Sequence, residues 1–253
     1  MSNFAFVFPG QGSQKIGMLA ELADQNPIIE KTFSEASEVL GYDMWQLIQQ
    51  GAQEDINLTQ RTQPILLTCS VAIWRLWNQK QGAKPSQMAG HSLGEWSALV
   101  CANVIDFADG LKMVEARGKF MQQAVPVGQG AMAAIIGLDD KAILAACTEA
   151  STLGVVDAVN FNAPGQVVIA GANDAVERAM DICKAAGAKR ALPLPVSAPF
   201  HTSLMKPAAD NLAEMVNTIT FRAPEVPVMH NVHAKNEHDP QAIKALMLEQ
   251  IYS

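Results

Sequence analysis

The sequence predicts an α/β fold in which a small β-α-β-β-α-β unit interrupts a larger layered α/β domain. Three observations carry this. The apolar run Phe4–Phe8 ends abruptly in Pro9-Gly10-Gln11-Gly12-Ser13-Gln14, as a buried strand does where it feeds a tight loop. Gly90-His91-Ser92-Leu93-Gly94 has G-x-S-x-G spacing between Met88-Ala89 and the apolar stretch Trp96–Val100. That is the strand–turn–helix pattern of a nucleophile elbow, which makes the large domain α/β-hydrolase-like. From Val125 to Val196 the strand and helix patterns alternate in the order of a split, ferredoxin-like motif. The expected division is therefore 1–124 with 197–253 for the large domain and 125–196 for the small one.

Composition sets the outer limits. The chain has 253 residues, 49% hydrophobic and 17% charged, enough to bury a sizeable core. A formal charge of −7 without any Lys/Arg run argues against nucleic-acid binding. Met1–Phe6 lacks the basic and apolar regions of a secretory signal, and runs such as Ala131–Leu138 are too short to span a bilayer. Cys69, Cys101, Cys147 and Cys183 are scattered without metal-ligand spacing and read as buried free thiols. A cytoplasmic protein that engages no membrane is expected.

The elements follow in order. Asn26-Pro27 reads as an N-cap with proline in the first turn, opening a helix through Leu40 that stops at Gly41. Thr62-Gln63-Pro64 opens another, running to Trp77. Gly82–Pro85 is a loop, and a further helix spans Asp109–Gln123. In the small unit, Ala131–Ile136 is a strand and Asp139–Ala150 a helix. Val155–Phe161 and Gln166–Ala170 form a hairpin turning at Asn162-Ala163-Pro164-Gly165. Asp174–Ala186 is a helix stopped by Gly187, and Lys189–Leu194 is the last strand of the unit. A helix from about Ser203 to Val216, a short strand at Val226–Met229 and a helix from Pro240 complete the chain.

Several residues point to chemistry. A helix after the elbow puts Ser92 and the Leu93 amide at its positive end, where an oxyanion is stabilised. The pentapeptide alone fits a glycine-bounded turn equally well. Gly10, Gly12 and Gly17 miss the dinucleotide spacing, and no Gly-Lys-Ser/Thr follows. The loop suits another task, offering a backbone N–H to an oxyanion at the elbow, with Gln11 as the donor. Arg117 falls on the same helical stripe as Met113, Val114, Phe120 and Met121. A buried guanidinium needs a partner, either a structural carboxylate or the carboxylate of a substrate. His201 follows Ser92 in the chain order of α/β-hydrolases, although a lone histidine more often caps or sits on a surface. His230, His233 and His238 lack zinc-ligand spacing and read as loop residues, so no metal is expected.

Six motifs together carry a resemblance: Gly10–Gln14, Gln63-Pro64, Gly90–Glu95, Arg117-Gly118 with Met121-Gln122, Asn160–Gly171 and Pro199-Phe200-His201. In order and extent they resemble the malonyl-CoA:acyl-carrier-protein transacylases, most closely those of bacterial type II fatty acid synthesis. The resemblance implies that Ser92 is the nucleophile and His201 the base, oriented by a backbone carbonyl at Gln250. It implies an oxyanion hole from the N–H groups of Gln11 and Leu93, and malonyl carboxylate binding by Arg117 with Gln63 holding the guanidinium. Asn162 and Arg190 would touch the coenzyme, and Phe200 would favour malonyl over methylmalonyl.

Malonyl-CoA and holo acyl carrier protein are the implied partners. The resemblance also implies that the thiol cofactor, phosphopantetheine, travels on the carrier, that the enzyme itself takes none, and that it acts as a monomer. The family continues past the position of Ser253 with a strand and a Gly-Pro-Gly turn, so the chain reads as a truncated portion. Three rival readings share these residues: a serine esterase or thioesterase, a polyketide-type acyltransferase domain, and a carrier-docking module with little chemistry.

Overall fold

The computed structural model describes residues 4–196 and 198–253. The expected resumption of the large domain at residue 197 lies outside them. The chain forms two compact units, Met1–Lys119 with Leu212–Met247 and Phe120–Asn211 with Leu248–Ser253.

In the first unit, β1 (Ala5–Phe8) is followed by α1 (Ala20–Gln25), α2 (Ile28–Leu40), α3 (Met44–Gln50), α4 (Gln53–Ile56) and α5 (Thr59–Gln79). Then come β2 (Gln87–Gly90), α6 (Leu93–Cys101) and α7 (Phe107–Gln123). The second unit contains β3 (Gly130–Ile136), α8 (Asp140–Ala150), β4 (Val156–Ala163), β5 (Gln166–Ala172), α9 (Asn173–Ala185) and β6 (Arg190–Pro193). Helix α10 (Lys206–Thr218), strand β7 (Val228–Met229) and α11 (Pro240–Glu249) follow. The division between the units falls within α7, α10 and α11.

The first unit is built on a parallel sheet of order β1-β2-β7. Phe8 pairs with Gly90 and Met88 with Val228, so all three strands end at one edge. In such sheets the loops after the carboxyl ends gather the functional groups. Every residue of α6 is buried, and α5 packs against both α6 and α2. Ile29, Phe33, Ile65, Trp96, Leu99 and Val114 have at most 1% exposure at the centre of this core.

The second unit is an antiparallel sheet of order β4-β5-β3-β6, the split motif the sequence predicts. Ala133, Ile135, Val167 and Ile169 alternate onto the face covered by α8 and α9. The α/β class and both layers thus match expectation.

Some local assignments differ. Asn26 is not a cap for α2; its side-chain Nδ2 donates to Leu22 O and closes α1 instead. Helix α5 starts at Thr59, leaving Pro64 inside it, where the missing N–H forfeits one bond near the open end. The hairpin turn is confined to Pro164-Gly165, because β4 continues through Asn162 and Ala163 with two register shifts. No described helix is long and apolar enough to cross a membrane. All four cysteines are free and buried, and burial pushes the Cys69 and Cys147 thiols up to about 12.

Candidate active site

The elbow is forced by the meeting of β2 and α6. A Cβ on Gly90 would lie 1.9 Å from the Gly94 carbonyl carbon, so only glycine lets the strand end touch the helix start. Between them, Ser92 is the N-cap of α6 with φ 52° and ψ −105°. Such a backbone costs a non-glycine residue about 1–3 kcal/mol and persists only where neighbours over-determine it. Those neighbours are on hand. His91 N donates to Phe8 O at 3.1 Å, and Ser92 N donates to Asn231 Oδ1 at 2.9 Å. Leu93 is the first residue of α6, its amide at the positive end of the helix. Gln11 lies in the turn after β1, at the same sheet edge, with its side-chain Nε2 donating to Thr59 Oγ1 at 3.4 Å.

Arg117 is 2% exposed on the inner face of α7, with Met113, Val114 and Met121 beside it on the buried stripe. Its Nη1 donates to Gln63 Oε1 at 2.8 Å and its Nη2 to Ser92 Oγ at 3.2 Å. The helices approach closely here: a Cβ on Gly118 would lie 2.7 Å from Thr59 O at the start of α5. That approach carries Arg117 to Gln63 one turn further along. Burial pulls the guanidinium down to about 10, with the Glu95 carboxyl acting in the opposite sense, so it stays charged at neutral pH. Both hydrogen bonds above go to neutral oxygens.

Three residues of this site escaped the sequence reading. His230, expected as a loop residue, is fully buried and donates from Nδ1 to Glu95 Oε1 at 2.7 Å. Glu95 Oε2 accepts from Asn231 N at 3.0 Å, and Asn231 Nδ2 donates to Gly90 O at 2.8 Å. The available signal was position: His230-Asn231 directly follows β7, whose carboxyl end lies beside that of β2. No group of three or more metal-ligating side chains occurs among the described residues.

In the second unit, His201 is 8% exposed with φ 65°. Its Nδ1 lies 2.8 Å from the Gln250 carbonyl oxygen. With that oxygen as acceptor, Nδ1 carries the proton and Nε2 is the basic nitrogen. The carbonyl does for this ring what a carboxylate does in a Ser-His-Asp triad, without adding charge. Phe200 is 9% exposed beside it. Asn162 and Arg190 are both exposed, on β4 and β6 at opposite edges of the antiparallel sheet, and are not brought together.

Comparison with known proteins identifies the family. The acyl transferase domain family matches residues 5–252. The malonyl CoA-acyl carrier protein transacylases of Salmonella typhimurium strain LT2 and Escherichia coli strain K12 are each 63% identical over 253 residues, 100% of this chain and 82% of theirs. That of Bacillus subtilis strain 168 is 46% identical, over 100% of this chain and 80% of its own. A crystal structure of an acyl carrier protein S-malonyltransferase from Vibrio cholerae superposes with a TM-score of 0.98 at 62% identity, covering 100% of this chain and 82% of that one. A malonyl-transacylase solved in complex with a type II PKS acyl-carrier protein gives 0.98 at 60% identity, with coverage of 100% and 82%. By family match and by identity along its whole length, the chain belongs to the malonyl CoA-acyl carrier protein transacylases of the acyl transferase family.

Proposed function

We propose that this chain moves a malonyl group from malonyl-CoA to the phosphopantetheine thiol of holo acyl carrier protein, supplying fatty acid synthesis. One observation carries it: a buried, charged guanidinium held by Gln63 stands one hydrogen bond from Ser92 Oγ. A thioester carbonyl attacked by Ser92 leaves the second carboxyl of a malonyl group within reach of that cation. A neutral acyl chain would offer that cation no carboxylate.

The chemistry runs in two symmetrical halves. Ser92 Oγ attacks the thioester carbon, and its proton passes to His201 Nε2. The N–H groups of Gln11 and Leu93 receive the tetrahedral oxyanion. Collapse breaks the C–S bond, His201 returns the proton to the leaving coenzyme A thiolate, and a malonyl ester remains on Ser92. The carrier's thiol then gives its proton to His201 and attacks the ester through the same oxyanion site; collapse breaks the ester C–O bond, and His201 returns the proton to Ser92 Oγ, which regenerates the enzyme. Gln250 keeps the ring in the needed tautomer through its carbonyl. Phe200 crowds the α-carbon and disfavours methylmalonyl, a preference worth about 1–3 kcal/mol for one methyl. Asn162 and Arg190 contact the coenzyme, and Lys189 with Arg190 forms the local basic face for the acidic carrier. These residues complete the reaction, so we assign the enzyme no metal and no cofactor of its own.

The same proposal places the chain in the cytoplasm as a monomer that binds neither nucleic acid nor membrane. Its charge of −7 supports the part of this that concerns nucleic acid.

Intact-protein mass spectrometry after brief exposure to malonyl-CoA tests the function, with Ser92→Ala alongside. A malonyl adduct on the parent chain, absent from Ser92→Ala and discharged by holo carrier protein faster than by water, is expected. Equal loss to water would establish a hydrolase instead, and no adduct at all would refute the transfer.

A further inference from the structure

The nucleophile's backbone is held by a side chain that no part of the reaction above uses. Asn231 spans the elbow with both ends of its amide: Oδ1 accepts the Ser92 N–H at 2.9 Å, and Nδ2 donates to Gly90 O at 2.8 Å. It therefore grips the peptides on either side of His91 at once. Asn231 is in turn fixed by α6 itself, since its own backbone N–H donates to Glu95 Oε2 at 3.0 Å. The other oxygen of that carboxyl takes His230 Nδ1 at 2.7 Å, and both side chains are fully buried. His230 anchors its own turn by donating its N–H to Lys235 O and accepting from Ala234 N. The bonds close a ring: elbow to Asn231, Asn231 to Glu95, and Glu95 back along one turn of helix to the elbow.

We propose that Asn231 is a positioning residue for the reaction, braced by Glu95 and His230, and that it sets the direction of Ser92 Oγ relative to the Leu93 amide. The inference rests on Ser92 being the nucleophile. Its logic is mechanical. Ser92 occupies a backbone region that an L-residue leaves when released. Any relaxation there turns the Cα–Cβ bond, and with it Oγ, away from the amide that must receive the oxyanion. A brace serving stability alone would need to hold the loop and the helix together. This one also takes the N–H of the reacting residue.

The test uses the whole chain and four proteins: the parent, Asn231→Ala, His230→Ala and His230→Asn. An asparagine at 230 presents an amide nitrogen close to where the ring Nδ1 lies, so it keeps the donor to Glu95. Formation of the Ser92 malonyl ester is followed by rapid quench across malonyl-CoA concentrations, with a thermal midpoint for each protein. The limiting rate of Asn231→Ala is expected to fall about 10- to 100-fold. The concentration for half-maximal rate should move less than about threefold, and His230→Asn should recover most of what His230→Ala loses. A folded Asn231→Ala with the parent's limiting rate overturns the proposal, as does a loss seen only in half-saturation. Should Asn231→Ala not fold, the His230 pair decides: equal rates for alanine and asparagine refute the brace. Inactivation by phenylmethylsulfonyl fluoride, which needs no carboxylate site, is read on the same proteins. If malonyl-CoA fails to label the parent, the transfer function falls, while the order of inactivation rates still upholds or refutes the positioning role.

Discussion

At the scale of single residues, the site is a set of polar groups taken out of water and given few alternatives. Arg117 shows the consequence for pH. Burial lowers its guanidinium to about 10, so charge is present below that value and lost above it. KM for malonyl-CoA should stay level from neutral pH to about 9 and rise as pH passes 10, because the carboxylate loses its partner. Steady-state kinetics with a no-enzyme correction for thioester hydrolysis checks this, and Arg117→Met should give a high KM with no such rise. For stability the sign is reversed. A group whose proton is held more weakly in the folded chain than in the unfolded one costs stability at neutral pH and ceases to do so as pH climbs through that window. The position is kept despite that cost, as a residue retained for binding would be. The sequence already exposed the tension, because an arginine on the Met113, Val114 and Met121 stripe has no water to face. It left two partners open, a structural carboxylate and a substrate anion; the structure adds hydrogen bonds to Gln63 and Ser92.

At the scale of elements, close approaches place these residues. Helix α7 lies near enough to the start of α5 that a Cβ at Gly118 would meet Thr59 O at 2.7 Å and Gln60 Cα at 2.8 Å. Gly118→Ala should therefore push α7 outward and lower stability by about 1–3 kcal/mol. It should also raise KM for malonyl-CoA as Arg117 leaves Gln63. A denaturant midpoint and a KM measured on the same preparation check both effects. Elements marked by strict periodicity or by a glycine stop were readable in advance, such as α2 ending at Gly41 and the helix after the elbow. Boundaries were less so. Asn26 looked like a cap because asparagine before proline usually is one, yet its side chain found the Leu22 carbonyl of the preceding helix. Pro64 looked like a first-turn proline, yet α5 begins five residues earlier, where Thr62 Oγ1 donates to the Ile56 carbonyl. In each case one local preference yielded to another, Asn26 bonding a carbonyl four residues back and Thr62 one six residues back.

At the scale of the whole molecule, the chain is acidic and its proposed carrier partner is acidic too, so association needs a local basic face. Lys189 and Arg190 are exposed at the start of β6 and its approach. Lys189→Glu should raise KM for the carrier protein about 3- to 10-fold, leave KM for malonyl-CoA unchanged and steepen at low salt. Steady-state assays varying each substrate in turn check it, and an unchanged carrier KM would move the docking face elsewhere.

What the sequence determined by itself was the class of each layer and the strand–turn–helix elbow. Those follow from spacing along one strand or helix, and spacing is preserved when the chain folds. Ser92, Arg117 and His201 stood out as candidates in the sequence, and Gln250 through the resemblance alone. The brace of Glu95, His230 and Asn231 did not. Glu95 is more than 130 residues from His230 and Asn231 in sequence, and it meets them only because β7 pairs with β2. A buried carboxyl in the first turn of a helix looks like ordinary dipole pairing until the facing loop is known. Tertiary structure alone decided that partner, since strand pairing, unlike periodicity, leaves no mark in the local sequence.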